Sequence, residues 1–174
     1  MPLPDLTLVL GGAASGKSAF AESLVLKAPG IPTYIATAQV FDDEMAAKIA
    51  RHQDERGIHW QTIEEPLDVS AALSRSAVGA PVLIDCATLW LTNVILGEHD
   101  IKTHTDALLA ALRQHESPVV IVSNEVGQGI VPDNALARQF RNAQGRLNQQ
   151  IAAQAELVVV VMAGLPLALK GHLP

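Results

Sequence analysis

Residues 11–18, Gly11-Gly12-Ala13-Ala14-Ser15-Gly16-Lys17-Ser18, fit the pattern G-x-x-x-x-G-K-[ST] at every fixed position. They follow a short apolar run, Leu6 to Leu10 (LTLVL), and precede SAFAESLVLKA at 18–28, where Phe20, Leu24 and Ala28 recur with helical spacing. A buried strand, a glycine-rich loop and a helix in that order form the context in which this pattern holds phosphate. Glycines let backbone N–H groups converge on phosphate oxygens without a Cβ in the way. The helix N-terminus adds about half a positive charge. In such a loop Lys17 reaches the β- and γ-phosphates and Ser18 offers its hydroxyl to Mg²⁺. The alternative is a glycine-rich turn with a solvated lysine, and the flanking strand and helix argue against it.

The rest of the chain repeats the theme. Further short apolar runs lie at Thr33–Thr37, Pro81–Ile84, Val119–Ser123 and Leu157–Met162, and an alternating segment at Ile58–Ile63 reads as an edge strand. Helical patterns separate them at 18–28, 41–56, 67–76, 87–97, 103–115 and 134–155, the last weakened at Gly145. The acids Asp42, Asp43 and Glu44 sit in the first turn of the second helix, where the helix dipole favours them. Strands that are continuous apolar runs alternating with helices predict one α/β domain over residues 1–174. Its sheet is mostly parallel, with helices on both faces.

Composition narrows the classes. Of 174 residues, 49% are hydrophobic and 17% charged, which excludes a disordered chain. The net charge of −6 lacks the basic footprint of a nucleic-acid binder. The single cysteine, Cys86, excludes a disulfide framework within one chain and a multi-cysteine metal site, and reads as a small buried apolar residue. The opening MPLPDLTLVLGG has no basic n-region, and the longest apolar stretch, Leu157–Leu169, is broken by Gly164 and Pro166. No secretory signal or membrane span is expected, and the expected compartment is the cytoplasm.

Two residues stand out beyond the loop. Asp85 follows a buried strand, the place of a Mg²⁺-organising acid, although an aspartate there also caps a following helix. Of six histidines, His52 alone shares a helix face with Met45, Ile49 and Arg56. Imidazole there is either a satisfied core-edge group or a nucleophile that attacks phosphorus to give a phosphoramidate. No N-K-x-D tetrad and no S-G-G-Q element occurs, which argues against a guanine-specific switch and a transporter ATPase.

Several segments occur together in order: G-G-A-x-S-G-K-S at 11–18, Y-I-A-T-A-Q at 34–39, D-D-E-M-A-A-K-I-A-R-H at 42–52, H-W-x-T-x-E at 59–64, S-N-E-V-G-x-G-I-V-P at 123–132 and R-x-F-R-x-x-x-G-R-L-N-Q at 138–149. Together they resemble the bifunctional adenosylcobinamide kinase / adenosylcobinamide-phosphate guanylyltransferase family of cobalamin biosynthesis, over about residues 6–165. The resemblance implies a RecA-like P-loop fold and two transfers. ATP or GTP phosphorylates adenosylcobinamide. GTP then guanylylates a histidine, which passes GMP to adenosylcobinamide phosphate. The matching histidine is His52, in an Arg51-His52 pair where some relatives carry two histidines.

The resemblance also implies nucleotide contacts from Gly11, Gly12, Ala13, Ala14, Ser15, Gly16, Lys17 and Ser18, from Ala36, Thr37 and Ala38, from Gln53, Asp54, Glu55 and Arg56, and from Glu64 and Asp85. Ser18 and Asp85 hold Mg²⁺, and His52 and Lys17 are catalytic. Glu64 as a surface acid stays open. Asn124 and Glu125 fall to the corrinoid or metal side, and Gly127 and Gly129 shape their loop. Arg138, Arg141 and Arg146 either meet phosphate or form a solvated helix face. The implied partners are the corrinoid and the nucleotide, with a homo-oligomer as the assembly. The rival readings are a P-loop small-molecule kinase without a covalent intermediate and a RecA-like nucleotide-dependent assembly module.

Overall fold

Five of the seven strands are apolar on both faces, and the sheet they build is covered on both. A computed structural model describes residues 2–39 and 59–174. Its seven strands are β1 (Leu6–Gly11), β2 (Thr33–Ala36), β3 (Gln61–Glu64), β4 (Val82–Asp85), β5 (Val119–Asn124), β6 (Leu157–Met162) and β7 (Leu165–Lys170), in the order β3-β2-β4-β5-β1-β6-β7. Strand β1 is central, parallel to β5 on one side and β6 on the other. Only β7 runs antiparallel.

The period-2 geometry of strands divides the core in two. Leu6, Leu8, Val82, Ile84, Val119 and Ile121 face one side. There they meet α2 (Val69–Ser74), α3 (Ala87–Leu96), α4 (Ile101–Gln114) and α5 (Ala135–Gln154). Val9, Leu83, Val120, Val122 and Val159 face the other side. There α1 (Lys17–Val25) covers them with Ala21, Leu24 and Val25. Each such aliphatic side chain fully buried contributes roughly 1.5–3 kcal/mol. Trp90 of α3 is the largest of the buried side chains, and its indole N–H donates to Leu67 O at 2.8 Å.

The expected α/β architecture is present, and β3 is an edge strand as its alternation suggested. The first helix ends at Val25, short of residue 28, with Lys27 and Ala28 in tighter turns that bond three residues back. The helix runs unbroken through Gly145, from Ala135 to Gln154, and open space lies where a Cβ at 145 would stand. Strand β7 is a departure from the expectation. A two-residue turn, Ala163-Gly164, reverses the chain with φ of 52° and 77°, and pairs Met162 with Leu165. Positive φ at both central residues matches the twist of a tight hairpin. The proline in LPLALK is tolerated because β7 lies at the sheet edge. The expected helix at 41–56 lies outside the described residues.

Candidate functional site

The C-terminal ends of the parallel strands carry the phosphate loop, Ala36 to Ala38, Glu64, Asp85, Asn124 and Glu125. The loop 11–18 connects β1 to α1, and its geometry requires glycine at two places. A Cβ on Gly11 would stand 2.3 Å from Ser15 Oγ and 2.8 Å from Val161 O. Gly16 has φ +92°, and a Cβ there would meet Gly164 Cα at 3.2 Å. The hairpin turn between β6 and β7 therefore leans on the loop, and Gly164 N–H donates to Ser15 O at 2.9 Å.

Gly16 also caps α1 without any side-chain bond, whereas α2, α3, α4 and α5 are capped by Asp68, Cys86, Asp100 and Asn134. No acid stands in the first turn of α1. Its leading N–H groups and dipole are thus left to an anion. Lys17 Nζ bends over the loop to donate to Gly12 O at 3.0 Å.

Asp85 ends β4, with β5 between it and β1, which puts it roughly 10 Å across the sheet from the P-loop strand. It does not cap α3: Cys86 does, its Sγ accepting from Leu89 N–H at 3.4 Å. Asp85 Oδ2 instead accepts from Tyr34 Oη at 2.7 Å, and Tyr34 is itself braced edge-on against Trp60 at 5.6 Å. The donor set suits Mg²⁺. Among the described residues no cluster of three His, Cys, Asp or Glu could enclose a metal, and Mg²⁺ is ordinarily held by one or two protein oxygens together with phosphates. Ser18 and Asp85 supply that kind of ligand.

Ala36 ends β2 and pairs with Asp85 in register, and Thr37 and Ala38 follow it. Thr37 is buried, and its polar groups are engaged within the chain. Its hydroxyl donates to Cys86 O and accepts from Cys86 N–H, both at 2.8 Å. Its N–H donates to Asp85 O, and its carbonyl accepts from Asn93 Nδ2. Thr37 thus holds the ends of β2 and β4 together at the rim of the site. Glu64 is exposed at the end of edge strand β3. His52, Gln53, Asp54, Glu55 and Arg56 lie outside the described residues.

Asn124 and Glu125 emerge beside the loop. Asn124 pairs with Gly11 in register, and Glu125 N–H donates to Gly11 O at 3.1 Å. Beyond them Arg141 donates to the carbonyls of Gly127 and Gly129, and Arg138 to those of Pro132 and Asp133. In the structure these two arginines pin the 125–133 loop to α5. Arg146, on the same helix, is exposed. Sequence reasoning gave no role to Tyr34, Thr88 or Asn148. Their partners lie 51, 36 and 24 residues away, and no local pattern signals them.

Cys86 is buried, and its thiol is pushed up to about 11, first by burial and then by the Asp85 charge, against opposing contributions that include the Lys17 charge. At pH 8 only roughly one molecule in a thousand would carry the thiolate. Native protein should therefore resist iodoacetamide at pH 8 while denatured protein reacts at once, as followed by intact mass.

Comparison with known proteins gives a consistent result. The family model described as cobinamide kinase / cobinamide phosphate guanyltransferase matches residues 7–169. The chain is 44% identical to the bifunctional adenosylcobalamin biosynthesis protein CobP of Pseudomonas aeruginosa over 168 residues, covering 95% of this chain and 97% of that protein. It is 42% identical to the bifunctional adenosylcobalamin biosynthesis protein CobU of Salmonella typhimurium, covering 95% and 99%. Among solved structures, a Pyrococcus horikoshii OT3 protein titled as a structural study of Project ID PH0250 superimposes with a TM-score of 0.59 at 7% identity, covering 98% of this chain and 88% of that one. That likeness concerns the fold alone.

Proposed function

The chain belongs to the cobinamide kinase / cobinamide phosphate guanyltransferase family, and from that premise we propose that it carries out both transfers on one corrinoid. ATP or GTP phosphorylates the hydroxyl of adenosylcobinamide. His52 then takes GMP from GTP, releasing pyrophosphate, and hands GMP to adenosylcobinamide phosphate to give adenosyl-GDP-cobinamide. The observation that carries the proposal is the family match across 7–169, a span that contains the whole phosphate loop and the 42–52 segment.

The geometry supports the nucleotide half. Backbone N–H groups of 11–18 and the uncapped α1 N-terminus suit a triphosphate, and Lys17 is within the loop to meet its outer oxygens. Mg²⁺, when bound by Ser18 and Asp85, would neutralise phosphate charge. Tyr34 fixes the Asp85 carboxylate, and Thr37 fixes the strand end behind it. Ala36, Ala38, Gln53, Asp54, Glu55, Arg56 and Glu64 complete the proposed nucleotide contacts. Both transfers need an in-line attack, one on the γ-phosphorus and the other on the α-phosphorus.

No helix among the described residues is long and apolar enough to cross a membrane. The proposed compartment is the cytoplasm. The proposed assembly is a homo-oligomer, supported by Leu165, Leu167 and Leu169, all exposed along edge strand β7.

The test is product analysis. Protein incubated with adenosylcobinamide, Mg²⁺ and GTP should yield first a corrinoid one phosphate heavier, then one carrying GDP. Nucleotide hydrolysis with the corrinoid unchanged would overturn the proposal and return the chain to an assembly ATPase. Phosphorylation without GMP transfer would reduce it to a kinase.

A further inference from the structure

The loop from β5 to α5 is pinned, yet it turns apolar side chains to solvent. Its start is tied to the phosphate loop, Glu125 N–H donating to Gly11 O at 3.1 Å. Glu125 Oε1 accepts from Gly127 N–H. Arg141 donates to the carbonyls of Gly127 and Gly129, and Arg138 to those of Pro132 and Asp133 at 2.9 and 2.8 Å. Asn134 then caps α5, accepting from Ala137 N–H at 2.8 Å. Between these anchors Ile130 is 97% exposed and Val131 63%, and Leu136 follows at 51%. One exposed aliphatic residue is ordinary. Three in the stretch 130–136, two of them on a pinned loop, form a surface kept ready for an apolar partner, because an ordered backbone loses little more freedom on binding.

Place, size and charge select the partner. The pair sits on a loop that starts at the phosphate site, and the chain from Glu125 to Ile130 spans at most about 18 Å. The acceptor that the family phosphorylates is a corrinoid, a broad flat ring with its hydroxyl at the tip of an amide-linked arm. That arm is about as long as three extended residues, so the ring stands roughly 10 Å from the phosphorus under attack. Ring and apolar pair thus fall in the same range of the phosphate loop. The rim of the ring bears methyl groups that aliphatic side chains cover, and its cobalt centre is net positive. Residues 125–133 hold two acids, Glu125 and Asp133, and no lysine or arginine. Their charge attracts such a ring and repels a second nucleotide. A further copy of the chain has a surface of its own in Leu165, Leu167 and Leu169 on β7.

We propose that Ile130 and Val131 are the platform on which the corrin ring rests while its arm reaches the phosphate loop. The proposal rests on the proposed function, from which it takes the corrinoid. Neither residue touches the reacting atoms. They hold the ring equally before and during transfer, so their contribution is to affinity and not to the chemical step.

The test is equilibrium dialysis of adenosylcobinamide, followed by its visible absorbance, beside binding of a non-hydrolysable GTP analogue. Ile130→Ser and Val131→Ser should each weaken the corrinoid about tenfold, and together about a hundredfold, the scale of leaving a covered aliphatic side chain without its cover. Both positions are exposed, so these variants should fold, and Val131→Thr, which keeps the shape, carries the comparison if a serine variant does not. Affinity for the GTP analogue, self-guanylylation by GTP and the mass of the assembly by light scattering should all stay unchanged. In turnover the KM for the corrinoid should rise with kcat little altered. Unchanged corrinoid affinity in the double variant would overturn the proposal. So would an equal loss of both ligands, which would make the pair a support of the phosphate loop. Dissociation of the assembly would overturn it too, by making the pair a contact between copies. If the unsubstituted protein does not bind adenosylcobinamide, the proposed function itself fails, and the platform with it.

Discussion

His52→Ala is expected to leave no GMP on the protein after incubation with GTP and Mg²⁺, where the unsubstituted chain gains one acid-labile GMP per molecule by intact mass. The argument is chemical. A phosphoramidate needs a neutral imidazole in line with the α-phosphorus. In the 42–52 segment His52 is the only histidine, so the segment has no substitute nucleophile. The other histidines are placed for different ends. His59 and His115 precede β3 and β5, at the strand ends opposite the loop. His172 follows β7, which runs antiparallel and so finishes at that same opposite edge. His99 and His104 lie against each other at 5.1 Å beside the first turn of α4. Phosphorylation of the corrinoid should persist in His52→Ala, because that step attacks the γ-phosphorus directly. An adduct that survived the substitution would remove His52 from the mechanism.

Lys17→Ala is expected to lower phosphoryl transfer by about a thousandfold, the scale of losing a cation that follows charge onto the outer phosphates. The same change should barely alter Tm. Among the described residues Lys17 Nζ bonds to Gly12 O alone, at a partly exposed position, and losses of that kind stay within about 0.5 kcal/mol. Activity and thermal melting measured on one preparation check both halves. A large fall in Tm would mean that the lysine holds the loop together, and the kinetic loss could then not be assigned to phosphate.

The phosphate loop was readable because its requirements are local. Eight consecutive residues carry the whole pattern, and the strand and helix that flank it are as periodic as their burial demands. Continuous apolar runs likewise announced a sheet covered on both faces. What stayed hidden was non-local. Strand β7 was masked by a turn whose first residue is alanine at φ 52°, a conformation alanine rarely adopts, and by a proline that only an edge strand accepts. The carbonyl partners of Arg138 and Arg141 were also hidden, because charge is visible in sequence and a backbone carbonyl as its partner is not. Asp85 offered two roles, and the helix-cap role falls to its neighbour Cys86, while the Asp85 carboxylate accepts from Tyr34, 51 residues distant.

The hairpin that rests on the loop carries a consequence for how the protein comes into being. Its phosphate cradle is written in eight consecutive residues, yet the cradle is bolted by Gly164, and β1 is flanked by β5 and β6. A ribosome making this chain releases the motif well before the strands and the turn that support it. Until Gly164 has emerged, the growing polypeptide has the letters of a nucleotide site without its walls. The cell's triphosphate pool thus meets a working cradle only after that turn is made.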